Sequence, residues 1–326
     1  MKIQNVIPFV LVGVALVAGC TDLTTQNGTP ITSTQTQQGQ MGDSKVQVVT
    51  SFYPLAELAR QIGGEYVVVK NLVPAGAEPH DFEPSPKDVL ALNTADLVVV
   101  NGVGFEPWAE KVLPGIESKG VQVLDVSKFF PELLKPATVE TDPSEDVEQH
   151  YTYDPHFWLD PVMFITQANT IKNKLIEIDP EHKDEYTQHA DAFIAELQSL
   201  NSEYSDGLKN CQLQEIVTNH AAFGYLAKRY NLTMLPISGL APDSEPSAKR
   251  LGELTDLVKK DGVKVIFTEN LVNKKISDTL AKEAGVQTMV LNPIEGLTDD
   301  QINAGENYIS VMKQNLQSLR TALECT

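Results

Sequence analysis

The chain has 326 residues, a formal net charge of −19 and three cysteines. Acidic residues are spread along it and no basic cluster occurs, which argues against a nucleic-acid-binding surface. Acidity favours solubility and nearby cations without naming a ligand.

The N-terminus reads as a targeting segment outside the fold (1–19). Lys2 supplies a minimal positive region, Val6 to Val17 is an apolar run too short to cross a bilayer comfortably, and Val17-Ala-Gly-Cys20 is a lipobox-like sequence. Cys20 is therefore the expected lipidation site, anchoring the chain to the outer face of the cytoplasmic membrane. Residues 20–44 are rich in Thr, Gln, Gly and Ser and read as a flexible tether.

From Lys45 strands and helices alternate. Val46–Thr50 reads as a strand, Pro54–Ile62 as an amphipathic helix and Tyr66–Leu72 as a second strand. Ser85-Pro-Lys-Asp opens a capped helix, and Leu97–Val100 and Val121–Val126 are further apolar strands. This first open α/β lobe covers 45–179. Phe129–Tyr153 carries prolines, an acidic run and His150, and reads as a long mobile surface loop. Pro161–Ile178 is helical. A longer helix, within 180–209, shows an apolar stripe of Tyr186, Phe193, Leu197, Leu200 and Tyr204; it suits either a rigid joining helix or an ordinary surface helix.

A second α/β lobe fills 210–326. Its expected strands are Leu213–Thr218, Met234–Ile237, Val263–Phe267 and Thr288–Leu291. Its expected helices are Ala221–Arg229, Ser247–Lys260, Lys274–Ala284 and a single closing helix from Thr298 to Leu323. With Cys20 assigned to lipid, Cys211 and Cys325 remain and are expected to pair in an exported protein, a shared metal site being the competing reading.

Half of the six histidines sit in distinctive contexts: His80 in Pro74-Ala-Gly-Ala-Glu-Pro-His-Asp-Phe-Glu-Pro-Ser-Pro, His156 in Asp154-Pro-His-Phe-Trp-Leu-Asp-Pro, and His220 in Thr218-Asn-His-Ala-Ala-Phe-Gly-Tyr-Leu. Imidazole is the commonest side-chain metal ligand, and sheet strands gather ligand groups at their carboxyl ends. Sequence distance alone does not show that the three converge, and a structural role for each remains open.

These contexts, with Gly239-Leu-Ala-Pro-Asp-Ser-Glu-Pro-Ser, Phe267-Thr-Glu-Asn, Leu291-Asn-Pro-Ile-Glu-Gly-Leu-Thr and Gly305-Glu-Asn-Tyr-Ile-Ser-Val-Met-Lys-Gln-Asn-Leu, resemble the solute-binding lipoproteins of zinc and manganese ABC transporters, in their zinc-uptake branch. The resemblance implies two α/β lobes joined by a long rigid helix, with metal in the cleft between them. The family's first three ligands fall on His80, His156 and His220, and its fourth on Glu306, so that two ligands would come from each lobe. It implies a monomeric, non-enzymatic receptor handing Zn²⁺ to a membrane permease. Manganese or ferrous iron is the alternative cargo; a zinc hydrolase with Glu306 held back as a base, or a surface adhesin with a structural metal, are alternatives of another class. Glu269 is a candidate partner for a ligand histidine, and His150 a candidate auxiliary ligand. His182 and His189 are expected in solvent, Asp160 in loop stabilisation, and Trp158 and Phe223 in excluding water.

Overall fold

Short apolar strands build two parallel sheets in this computed structural model, which describes residues 45–137, 151–242 and 246–326. The expected signal peptide, Cys20, the tether, His150 and most of the acidic loop lie outside the described residues. In the first sheet β1 (Val46–Thr50), β2 (Val67–Asn71), β3 (Leu97–Val100) and β4 (Gln122–Asp125) run in the order β2-β1-β3-β4. All four residues of β3 are buried, as a central parallel strand covered on both faces requires. The crossovers carry α1 (Tyr53–Gly63), α2 (Pro86–Asn93) and α3 (Ala109–Glu117). Ser85 caps α2 reciprocally with Asp88, and Pro86 opens it, so the loop that carries His80 ends at a defined point.

Two long helices follow, α4 (Pro161–Ile178) and α5 (Lys183–Gly207). The apolar stripe of α5 is buried and packs on α1 and α4 and, later in the chain, on the closing helix. Residues from both sheets and from α5 belong to one hydrophobic core, so α5 is a joining element and not a surface helix. His182 and His189 do not stand free in solvent. His182 bonds Asp179 through Nδ1 at 2.7 Å and stacks on Tyr66, and His189 Nδ1 donates to the Ile62 carbonyl at 3.1 Å. His182 lies just before α5 and His189 on the flank of its apolar stripe, so both meet the neighbours on which the stripe packs, which the helical period alone does not reveal.

The second sheet repeats the first in topology. β5 (Glu215–Thr218), β6 (Thr233–Pro236), β7 (Val265–Thr268) and β8 (Gln287–Val290) run β6-β5-β7-β8, all parallel. Around it lie α6 (Gly224–Arg229), α7 (Ala248–Lys260) and α8 (Lys275–Ala284). The expected closing helix is instead two helices, α9 (Asp299–Asn303) and α10 (Tyr308–Ala322). Gly305 breaks them with φ 75°, and Asn307 starts α10 with its own capping box to Ser310; both are stop and start signals that outweigh the apolar period.

Cys211 and Cys325 are disulfide-bonded across a sequence separation of 114 residues. The bridge reinforces a backbone clasp in which Gln212 and Leu213 both donate to the Leu323 carbonyl, each at 3.1 Å. Replacing both cysteines by serine should cost about 2–4 kcal/mol of stability. Alkylation of both thiols in unreduced, exported protein would disprove the bridge.

Candidate metal centre

His220 and Glu295 closely follow the carboxyl ends of strands, where open parallel sheets gather ligands, and His80 and His156 lie in longer connections that leave strands at the same ends. His80 sits in the loop after β2, His156 in the connection after β4, His220 two residues past β5 and Glu295 in the turn after β8. The Nε2 atoms of His80, His156 and His220 lie 3.3, 3.4 and 3.3 Å from Glu295 Oε1. His156 Nε2 lies 3.3 Å from both His80 Nε2 and His220 Nε2. The sixth distance, between His80 and His220, is within 4.8 Å; a regular tetrahedron with edges of about 3.3 Å has its centre about 2.0 Å from each corner, the zinc–nitrogen distance, so five of the six edges suit a zinc ion. All four side chains are buried.

The outer ring nitrogens fix the tautomers. His156 Nδ1 donates to Asp154 Oδ1 at 2.8 Å, and the same oxygen accepts the His156 backbone N–H at 2.9 Å. His220 Nδ1 reaches both oxygens of Glu269, at 2.8 and 2.9 Å. His80 Nδ1 lies 2.6 Å from the Tyr151 hydroxyl. Carboxylates only accept, so in the neutral rings of His156 and His220 Nδ1 carries the proton and Nε2 is left with its lone pair facing inward, as metal-binding histidines need.

Charge follows the same plan. Burial pushes His80 below the ordinary histidine value. Burial acts the same way on His220, but the carboxylates of Glu269 and Glu295 outweigh it and hold the imidazole well above that value. His156 is raised in the same manner, burial being outweighed by Asp154 and Glu295. Glu295 is held well below the usual carboxylate range, because the His220 charge and the histidine hydrogen bonds overcome its burial. Burial and the Glu295 charge push Glu78 up to about 9, so it adds no further negative charge beside the site at neutral pH.

The fourth corner corrects an expectation: it is Glu295, not Glu306. Glu306 stands in the break between α9 and α10, where its oxygens accept from Gln301 Nε2 at 2.7 Å and Gln314 Nε2 at 3.0 Å. It lines a separate cleft with Tyr53, Glu57 and Arg60. Glu295 lies in the quoted Leu291–Thr298 motif directly after a strand, the signal that also singles out His220.

Three further expectations change. Trp158 is more than a water-excluding wall, since its Nε1 donates to the Pro293 carbonyl at 2.7 Å and its own carbonyl accepts from Tyr308 Oη at 2.6 Å. Asp160 caps α4 through the Val162 N–H and binds Arg229 of α6 through both oxygens. The described ends of the acidic loop are fixed: Leu134 accepts from the Asp154 N–H at 2.8 Å and donates to Tyr225 Oη at 2.9 Å, and Tyr151 touches a site histidine. Asp154 and Tyr151 were legible only as neighbours of His156.

Two parallel-sheet lobes enclosing a buried His₃Glu cluster define a metal-binding receptor fold. The family model for the periplasmic zinc-uptake complex component A matches residues 48–322, so the chain belongs to that family. The zinc-binding lipoprotein AdcA of Streptococcus pneumoniae is 41% identical over 284 residues, which are 86% of this chain and 56% of that protein. The high-affinity zinc uptake system protein ZnuA of Bacillus subtilis is 37% identical over 95% of this chain and 97% of its own length. The chain thus spans about half the length of the AdcA relatives and nearly all of the ZnuA relative. The Zn(II)-bound ZnuA-like domain of S. pneumoniae AdcA superposes with a TM-score of 0.72 at 40% identity, covering 86% of this chain and all of that one.

Proposed function

We propose that this chain captures Zn²⁺ outside the cytoplasm and delivers it to a membrane ABC permease, with His80, His156, His220 and Glu295 as the ligands. The near-tetrahedral spacing of three imidazole nitrogens and one carboxylate oxygen carries the reading. Membership of the zinc-uptake family and the names of the AdcA and ZnuA relatives support it. A lipidated Cys20 would hold the receptor, acting as a monomer, beside the permease. Three nitrogen donors in a small site favour zinc over manganese, which prefers more oxygen ligands. Glu295 fills the fourth corner, the position a catalytic zinc keeps open for water, which favours a receptor over a hydrolase.

Protein purified without added metal or chelator should carry close to one zinc per chain, and zinc should displace manganese in competition. Preferential retention of manganese would overturn the choice of cargo.

A further inference from the structure

Glu295 stands on a backbone turn that its own residues do not favour. Ile294, fully buried, has φ 57°, a region that a β-branched side chain rarely enters and that stores strain unless neighbours hold it. The neighbours are specific. Asn292 Oδ1 accepts the Ile294 N–H at 2.7 Å. Asn315, on α10, accepts the Asn292 N–H through Oδ1 at 2.8 Å and donates through Nδ2 to the Asn292 carbonyl at 2.7 Å. Both asparagines are buried, at 4% and 2% exposure, so these bonds do not compete with water. No other residue type of this size offers an acceptor and a donor side by side in one amide plane.

We infer that Asn315 is a positioning residue for metal coordination: its amide grips the Asn292 peptide and thereby holds the Ile294 turn that aims Glu295 at the three histidines. This rests on the coordination proposed above. It also explains why a C-terminal helix that contributes no ligand carries a motif ending in Gln-Asn-Leu: its link to the site is Asn315, with Tyr308 gripping the Trp158 carbonyl.

A double-mutant cycle separates this role from ordinary packing. Zinc affinity is measured by competition with a chelator for the full-length protein, Asn315→Leu, Glu295→Gln and the double variant. Asn315→Leu should weaken zinc binding at least ~10-fold when Glu295 is present and less than ~2-fold in the Glu295→Gln background. The visible spectrum of the Co²⁺-loaded Asn315→Leu protein should match that of Glu295→Gln and differ from wild type. Equal losses in both backgrounds, or wild-type affinity in Asn315→Leu alongside a weak Glu295→Gln, would overturn the inference and leave the ligand set standing. Wild-type affinity in Glu295→Gln would overturn the ligand set and the inference with it. Should Asn315→Leu fail to fold, Asn315→Asp, which keeps the acceptor and loses the donor, carries the same cycle.

Discussion

Glu295→Gln should weaken zinc binding at least ~100-fold, or about 2.7 kcal/mol, while Glu306→Gln should leave it within about threefold. Among the described residues Glu295 supplies the only carboxylate oxygen within 3.4 Å of all three inward-facing histidine nitrogens, and a buried anion facing a dication is worth far more than an exposed one. Glutamine keeps the shape and loses the charge. Glu306 already bonds two glutamine side chains away from the cluster, so its neutral replacement changes the local hydrogen bonds and not the metal. Isothermal titration of both variants with zinc decides the matter. Equal losses would return the fourth ligand to open question, and a larger loss at Glu306 would refute the assignment.

Zinc and protons should pull stability in opposite directions across neutral pH. His220 is held well above its ordinary pKa in the metal-free fold. Its contribution to folding is therefore fully present below the unfolded value of about 6.5 and is lost as pH rises through the elevated folded value. Glu295, held well below the carboxylate range, contributes above about 4.5 and loses that contribution only as pH falls through its depressed folded value. Metal-free protein should thus be most stable in mildly acidic solution. Zinc requires the imidazoles neutral, so its grip and its stabilising effect should grow as pH rises. At free zinc ~1,000 times Kd the stabilisation is about 4 kcal/mol, on the order of 10 °C in melting temperature for a domain of this size. Thermal melts with and without zinc from pH 5.5 to 8.5 check both trends; a zinc-induced shift that shrinks as pH rises would contradict the protonation scheme.

The three histidines stood out because each sits in a long, unusual local sequence, and His80 and His220 also follow expected strands, whose ends are where parallel sheets place ligands. Glu306 was the expected fourth ligand because two motifs each offer a glutamate; the structure sets Glu295, after the turn at Ile294, beside the three histidines and Glu306 apart from them. A positive φ at an isoleucine leaves no trace in composition or period. The closing helix was read as continuous because its apolar spacing continues across Gly305, although the glycine and Asn307 mark the break. Glu269 was legible as a strand-end acid, but its two-oxygen grip on His220 depends on sheet order. Tyr151 ends an acidic run, and nothing in that composition marks its phenol as a partner for His80.

The stretch Asp154–Asp160 belongs to the first half by chain order, yet most of its polar fastenings run to the second. Tyr225 Oη donates to the Asp154 carbonyl, Trp158 Nε1 to the Pro293 carbonyl, Tyr308 Oη to the Trp158 carbonyl, and Arg229 grips Asp160. Asn101, past β3, answers with one bond to the Pro155 carbonyl. The mechanical seam of the molecule therefore does not coincide with its covalent midpoint at α5. Severing the chain at α5 would strip the second sheet of a seven-residue strap instead of releasing two self-sufficient halves.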